Sequence, residues 1–332
     1  MSNSEDKKIL HYRFTVDPEY QDQRIDHYLV EMLAGTSRTR IQKLIKDGYI
    51  KVNDSEVRAN YRVQEDDNIT ALLLEAHEFK LVPEDIPLNI VFEDEYLLVI
   101  DKPAGMVVHP AVGNWTGTLL NGLLYHLQKQ SCGQIEGHPG LVHRLDKDTS
   151  GLLLAAKDED TLKFMQLELK ERRIRREYQA LVWGHLKDEE GRIDLPIGRN
   201  PADRKKMCVT EKNSREAITK YVLETRYKFC DHLKINLQTG RTHQIRVHFS
   251  HLGHPVVGDR EYGGDEKIMS GLFDNYRVQA RKIIESIPRQ ALHASKLQFN
   301  HPVRKLKQTI KSELPEDITA IVNYLQKIDT SM

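Results

Sequence analysis

One segment near the middle of the chain concentrates the side chains best able to do chemistry. It reads LVHRLDKDTSGLLLAAK over residues 141–157, so charged and titratable residues stand directly before an apolar run typical of a buried strand. A carboxylate such as Asp146, fixed on a turn beside that strand, can act as a nucleophile or a base. A turn with charged flanks and no chemical role is an equally good interpretation of these residues alone.

Motifs for several other reactions are absent from the sequence. It contains no GxxxxGK[ST], no GxGxxG after a strand and no HExxH. The run HQIRVHFSHLGH (residues 243–254) holds His243, His248, His251 and His254, which leaves a metal-dependent nuclease as one hypothesis. No carboxylate or cysteine completes a known ligand pattern there, so we interpret these histidines as packing residues and predict no metal and no cofactor.

Composition limits the class of protein. The 332 residues carry 49 basic and 49 acidic side chains, so the net charge of zero argues against a uniformly basic protein that coats nucleic acid, while a local basic patch stays open. No apolar run approaches the ~20 residues of a membrane span, and no secretory signal begins the chain. Three distant cysteines form no CxxC pair. We therefore predict a cytoplasmic protein without a membrane partner.

The patterning predicts helices and strands mixed irregularly, and hence an α+β fold rather than a regular βαβ repeat. Helices are expected at 24–33, 38–46, 119–127, 160–171, 243–252 and 318–328. Strands are expected at 11–16, 49–52, 69–74, 90–92, 97–100, 106–108, 151–156, 178–182, 219–224, 233–237 and 292–299. We divide the chain into an N-terminal extension (1–22), a small domain (23–75), a linker (76–88) and a large domain (89–328).

The second expected helix is strongly basic. In TSRTRIQKLIKDGYIKVN the apolar residues fall at helical core spacing, which leaves Arg38, Arg40 and Lys43 for the opposite face, where they suit RNA phosphates. A solvated helix face is the alternative. The layout of residues 23–74, a helix, an S/T-R-x-R helix, a DG turn and K-V-N, resembles the S4-like RNA-binding module, and this likeness favours RNA contact.

The central segment resembles a known enzyme family. HRLDKDTSGL has the form H-R-L-D-x-x-T-[ST]-G-L, the signature of the RluA-type pseudouridine synthases. IDKPAGMVVHP (100–110), RREYQALVWG (175–184), LQTGRTHQIRVHFSHLGHPVVGDREYGG (237–264) and RQALHASKLQFNHP (289–302) resemble further blocks of that family in the same order. The resemblance implies a mixed, mainly antiparallel central sheet behind the S4-like domain.

The resemblance also implies a reaction and a substrate. In this family a uridine of RNA is detached from its sugar, rotated and rejoined through carbon five, without cofactor or metal. The likeness is strongest to members that modify a hairpin loop of large-subunit (23S) ribosomal RNA. We therefore expect as partner that RNA or the assembling large ribosomal subunit, and we expect a monomer.

Site residues follow from the motif match. Asp146 is implied as the essential nucleophile, Arg241 as its ion-pair partner and Tyr178 as the ring against the uracil. Whether Asp146 attacks the base or the sugar, or assists glycal formation, stays open. Arg144 is implied to fill the gap left by the flipped base. Weaker candidates for RNA contacts are Lys102, His109 and Arg176, together with the basic residues Lys205 and Lys206.

Other functions remain as alternatives. The chain could act on other ribosomal uridines or on tRNA, or it could be a non-catalytic RNA-binding factor in ribosome assembly. The intact HRLDKDTSG segment speaks against the second of these, because a protein that only binds RNA does not need Asp146.

Overall fold

A computed structural model describes residues 9–33, 36–74, 81–111, 114–130, 140–265 and 276–330. The chain divides into two compact units, Met1–Lys80 and Leu81–Met332. Among the described residues, every helix is too short or too polar to span a membrane. Gly35, Cys132 and residues 76–80 of the expected linker lie outside the described residues.

The first unit is a four-stranded sheet with two helices. Its elements are β1 (Ile9–Thr15), a 3-10 turn (Pro18–Tyr20), α1 (Ile25–Met32), α2 (Arg38–Lys46), β2 (Ile50–Val52), β3 (Ser55–Glu56) and β4 (Asn68–Leu74). The strand order is β1-β4-β2-β3, and β1 pairs antiparallel with β4. Residues 9–15 of the expected extension therefore belong to this sheet.

The predicted basic helix is present as α2. The Ser37 hydroxyl caps it by accepting a hydrogen bond from the Arg40 amide at 3.4 Å. Ile41, Leu44 and Ile45 are buried in the core of this unit, while Arg38 and Lys43 are exposed. The helical spacing thus separates an apolar face from a basic one, as expected from the sequence.

The second unit is built on a large mixed sheet. Its strands are β5 (Ile90–Glu93), β6 (Leu97–Lys102), β7 (Gly140–Leu141), β8 (Ser150–Ala156), β9 (Arg175–Trp183), β10 (Glu190–Asp194), β11 (Ile197–Arg199), β12 (Met207–Val209), β13 (Ser214–Arg215), β14 (Ile218–Arg226), β15 (Cys230–Leu237), β16 (Leu292–Asn300) and β17 (Lys307–Lys311). Its helices are α3 (Leu119–Gln130), α4 (Glu159–Lys170), α5 (Gln244–His251), α6 (Arg277–Ser286) and α7 (Glu316–Thr330).

The order of the main path is β10-β14-β15-β9-β16-β8-β6-β5, with β7 beside β8 and β17 beside β16. Among the described strands the pairing is antiparallel except between β8 and β16. A small separate sheet has the order β12-β11-β13. The predicted α+β class with a mainly antiparallel central sheet is confirmed.

Both faces of the central strands are buried, which explains their continuous apolar sequences. On β8, Leu153 and Ala155 join one apolar cluster, and Leu152, Leu154 and Ala156 join another on the opposite face. The two-residue period of a strand produces this division. The result is a rigid layer whose strand ends can position side chains.

The strand expected at Met106–Val108 is wrong. The carbonyl oxygens of Val107 and Val108 accept hydrogen bonds from the amides of Leu119 and Leu120, at 2.8 and 3.2 Å. This short apolar stretch therefore satisfies the free amides at the start of α3 instead of a neighbouring strand.

Candidate active site

The segment 142–149 enters the sheet at the start of β8, where the backbones of β8 and β16 come unusually close. Gly151 has φ = +110°, and a Cβ at this position would lie 2.4 Å from the Ala294 carbonyl oxygen. Only glycine fits such an approach. The glycine after HRLDKDTS therefore sets the path of the chain directly behind Asp146.

Buried polar side chains hold this loop from behind. Lys102 Nζ donates to the Lys147 carbonyl oxygen at 2.9 Å, and Arg289 Nη1 donates to that of Asp148 at 3.2 Å. Gln290 Nε2 donates to the Thr149 hydroxyl at 3.1 Å. Because these partners are nearly inaccessible to water, the loop beside Asp146 is fixed by bonds that solvent cannot easily replace.

Asp146 opens onto a cleft that is accessible to solvent. Five of the residues singled out in the sequence line it: Arg144, Asp146, Arg176, Tyr178 and Arg241. Apolar side chains, among them Leu145 and Leu292, complete its wall. An apolar wall with a few convergent polar groups is the usual lining of a ligand site.

The cation that contacts Asp146 comes from α5. Arg246 Nη1 lies 3.3 Å from Asp146 Oδ2. The same guanidinium donates twice to Asp259, at 2.7 and 2.9 Å, and once to Glu261 at 2.8 Å. The Asp259 and Glu261 carboxylates raise the pKa of Arg246 above its usual range against the opposing effect of burial, so this group is a permanent, immobilised cation.

Tyr178 and Arg176 project from β9 toward the same cleft. The Tyr178 side chain is only 4% exposed, and burial raises the pKa of its phenol. Arg176 is buried too, and its Nη2 donates to the Thr239 carbonyl oxygen at 3.3 Å. The cleft therefore offers one carboxylate, one neutral phenol and several fixed cations, an arrangement that can hold a polyanionic ligand and attack it.

Comparisons with known proteins agree with this architecture. Residues 96–251 match the family model described as RNA pseudouridylate synthase, and residues 23–69 match the S4 domain. An uncharacterized RNA pseudouridine synthase of Chlorobaculum parvum is 42% identical over 93% of this chain and 95% of its own length. This chain belongs to the RNA pseudouridine synthase family.

Two further comparisons place this pseudouridine synthase within its family. A Pseudomonas aeruginosa protein named ribosomal large subunit pseudouridine synthase D is 38% identical over 93% of this chain and 94% of its own. The solved structure of human RNA pseudouridylate synthase domain containing 4 has a TM-score of 0.55 at 26% identity and covers 72% of this chain and 93% of its own. The predicted family, fold and enzyme class are confirmed.

The predicted ion pair between Arg241 and Asp146 is wrong, because the arginine that contacts Asp146 is Arg246. Arg241 precedes α5, and its Nε donates to the Glu216 carbonyl oxygen at 2.8 Å. Arg246 lies inside the helix and reaches the carboxylate instead. Arg241 still lines the synthase cleft, so a role in binding substrate stays a prediction.

The predicted RNA contacts fall in different places. Arg144 and His109 are exposed and line a second cleft next to the first, where Arg176 and Arg241 also lie. Lys102 is only 1% exposed, and its Nζ donates to three carbonyl oxygens. That burial overturns the expected RNA contact of Lys102 and gives this side chain the loop-holding role. Arg38, Arg40 and Lys43 belong to the first unit of the synthase.

The histidine run has separate local partners. His248 forms hydrogen bonds with the Thr219 hydroxyl and the Leu195 carbonyl oxygen. His254 forms one with the Trp183 carbonyl oxygen, and His251 is exposed. In the part of the synthase that the structure describes, no three His, Cys, Asp or Glu side chains are grouped as metal ligands. His243 is the exception in position, because it lies beside Asp146.

Sequence reasoning missed Arg246, Asp259 and Glu261. One signal could have found them, because Arg246 stands between Ile245 and Val247 in a helix whose flanking residues are buried. A buried arginine needs carboxylate partners, and the nearby segment GDREY supplies two within fifteen residues of Arg246. Only the folded chain shows that the third partner is Asp146.

Proposed function

We propose that this pseudouridine synthase isomerises uridines in large-subunit ribosomal RNA, with Asp146 as its nucleophile. The observation that carries the proposal is the position of Asp146: its side chain is 18% exposed, it faces a cleft that Tyr178 and several arginines also line, and its Oδ2 is held by Arg246. The names of relatives such as the Pseudomonas aeruginosa protein support the choice of RNA.

In the proposed reaction, each residue of the cleft has a separate role. The N1–C1′ bond of the target uridine breaks, the base rotates and the C5–C1′ bond forms. The proton lost from C5 is balanced by one taken up at N1, so the reaction needs no oxidant or co-substrate. A uridine must leave its stack to enter the cleft. Tyr178 packs against the uracil ring there, Arg144 occupies the space the base has left, and Arg176 and Arg241 bind the flanking phosphates.

The cellular setting follows from the substrate. The proposed target is a hairpin loop of 23S RNA, free or in an assembling large subunit, and the enzyme works in the cytoplasm as a monomer without a membrane partner. The basic face of α2 supplies additional RNA contacts through Arg38, Arg40 and Lys43.

The decisive experiment uses large-subunit RNA labelled with tritium at carbon five of uridine. The purified enzyme, with chelator present, is expected to release tritium, and Asp146→Asn is expected to release none. Asp160→Asn, an exposed carboxylate on α4, is the matched control and should behave as wild type. Tritium release by Asp146→Asn would refute the role of Asp146. No release from this RNA, from tRNA or from precursor particles would leave an RNA-binding factor.

A further inference from the structure

The two oxygens of the Asp146 carboxylate face different groups. Oδ2 contacts Arg246, and Oδ1 lies 3.9 Å from Nε2 of His243. His243 lines the same cleft and is partly buried, with a side chain that is 19% exposed. A donor on Nε2 would therefore complete a two-sided support for the carboxylate.

The proton of the His243 ring is assigned by its neighbours. The Met207 amide donates to the Tyr262 hydroxyl oxygen at 3.0 Å, and that oxygen lies 2.8 Å from His243 Nδ1. Burial raises the pKa of Tyr262, so its hydroxyl keeps a proton that has to be donated. His243 Nδ1 also lies 3.7 Å from Glu261 Oε2, which is longer than a hydrogen bond, and that oxygen already accepts from Arg246 at 2.8 Å. The Tyr262 hydroxyl is thus the nearer partner, and with Nδ1 as its acceptor the ring proton lies on Nε2, the nitrogen that faces Asp146.

The backbone at His243 is strained. Its φ is +56° and its ψ is 22°, in the left-handed region, at the residue before the first turn of α5. Glycine or asparagine adopts this conformation at lower cost than histidine. Strained residues of this kind cluster where the side chain has a task in an active site.

We propose that His243 is a positioning residue for Asp146 that holds Oδ1 while Arg246 holds Oδ2. The proposal rests on the proposed function of Asp146. When a uridine fills the cleft, the Nε2–H of His243 closes onto Oδ1, as active-site hydrogen bonds often tighten only in the complex. With both oxygens held, the carboxylate plane cannot rotate away from the reacting carbon.

Two substitutions separate positioning from a purely structural role. His243→Gln places an amide N–H near the position of Nε2, whereas His243→Gly removes the donor and relieves the left-handed backbone. For one charge-assisted hydrogen bond, we expect the single-turnover rate of tritium release to fall by about 10- to 100-fold in His243→Gly, with RNA affinity unchanged. His243→Gln should recover most of that rate, because its amide N–H replaces the lost donor.

Tyr262→Phe tests the proton assignment. The phenyl ring keeps the stacking over Arg246 and the edge contact with His243, and only the hydroxyl is lost. In wild type, ¹⁵N NMR of the imidazole should show the Nε2–H tautomer, and Tyr262→Phe should weaken that preference and slow tritium release. His251→Gln, an exposed histidine at the end of the same helix, is the control and should retain the wild-type rate.

Three results would overturn the proposal: a wild-type rate in His243→Gly, equal slowing in the glycine and glutamine variants, or an Nδ1–H tautomer in wild type. Failure of the proposed function is a different result, because wild type would then release no tritium or Asp146→Asn would remain active. The NMR measurement needs no RNA and tests the geometry at His243 in either case.

Discussion

At the scale of single residues, the candidate active site depends on one arginine, Arg246, with three carboxylate partners. Arg246→Ala would leave Asp259, which is only 1% exposed, without its bidentate partner, so we expect the free energy of unfolding to fall by about 3–5 kcal/mol. Arg246→Lys keeps the charge but loses the fork, so its single-turnover rate should drop at least about tenfold, the cost of one strong hydrogen bond. Denaturant unfolding and tritium release measure the two effects.

Arg241→Lys is the control for Arg246→Lys. Arg241 is the residue that the sequence motif predicted as the partner of Asp146. Because Arg241 bonds to the Glu216 carbonyl oxygen, its replacement should alter the dissociation constant for RNA more than the rate at saturation. A larger rate loss in Arg241→Lys than in Arg246→Lys would contradict the geometry described above.

His143 gives a pH dependence at the same scale. Burial, followed by the charge of Arg176, lowers its pKa to about 3, and its Nε2 accepts a hydrogen bond from the Leu154 amide. Below pH 6.5 the unfolded chain binds a proton at His143 that the folded chain does not bind, so stability falls as the pH falls from 6.5 toward 3. His143→Gln keeps an acceptor for Leu154 and does not titrate. Between pH 7 and pH 5, wild type should lose about 2 kcal/mol more than this variant in urea unfolding, and equal losses would refute the assignment.

The sequence predicts individual residues of the site better than their pairings. Asp146 and Tyr178 follow from short contiguous motifs, and the structure places both in one cleft. The partner of Asp146 does not follow, because it depends on how α5 is rotated and on where residues 259–262 fold back against it. The expected helix (243–252) and the observed α5 both place Arg241 before the helix and Arg246 inside it. The choice between them therefore depends on tertiary packing and not on where the helix begins.

At the scale of elements, the helix α7 is linked through Arg289 to the loop that carries Asp146. Asp317 accepts two hydrogen bonds from Arg289, at 2.6 and 2.7 Å, and Arg289 Nη1 in turn donates to the Asp148 carbonyl oxygen. Asp317 lies 28 residues after Arg289 in the sequence, and Asp317→Asn would weaken the link that Arg289 makes between α7 and the loop.

We therefore expect Asp317→Asn to lower the free energy of unfolding by about 2 kcal/mol, because one partner of a largely buried ion pair is neutralised. It should also speed amide hydrogen exchange in residues 146–150. Glu316→Gln, the exposed neighbour on α7, is the control. Unchanged exchange in the loop of Asp317→Asn would show that α7 stabilises the fold without restraining the loop.

The order of the strands is the part of the fold that local patterns do not supply. The apolar run of β8 is evident in the sequence, and so is that of β16, yet nothing near either strand shows that Ser150 pairs with His293, 143 residues away. Such pairing is decided by the packing of whole layers, whereas helix α2 is decided by its own spacing and by the Ser37 cap.

At the scale of the whole molecule, a chain with zero net charge has to bind RNA through local groups of cations. The slope of log K against log[salt] therefore reports the number of phosphate contacts that those groups make, and not the overall charge of the chain. Lys43 and Lys46 are exposed on α2, in a unit with its own apolar core, whereas Arg38 Nε donates to the buried Asp26 at 2.9 Å. Replacing the two lysines by alanine therefore removes charge without breaking the Arg38–Asp26 pair or disturbing the Ile41–Leu44–Ile45 side of the helix.

For Lys43→Ala/Lys46→Ala we expect the slope of log K against log[salt] to become shallower by about 1.4–1.8, because each of two phosphate contacts contributes about 0.7–0.9. The single-turnover rate at saturating RNA should stay at the wild-type value, since Asp146 and its cleft belong to the other unit. Arg281→Ala/Lys311→Ala removes two exposed cations elsewhere and should leave the slope unchanged. An unchanged slope in the α2 variant would mean that the S4 domain of this synthase does not bind phosphate through that face, and that RNA affinity comes from the catalytic unit.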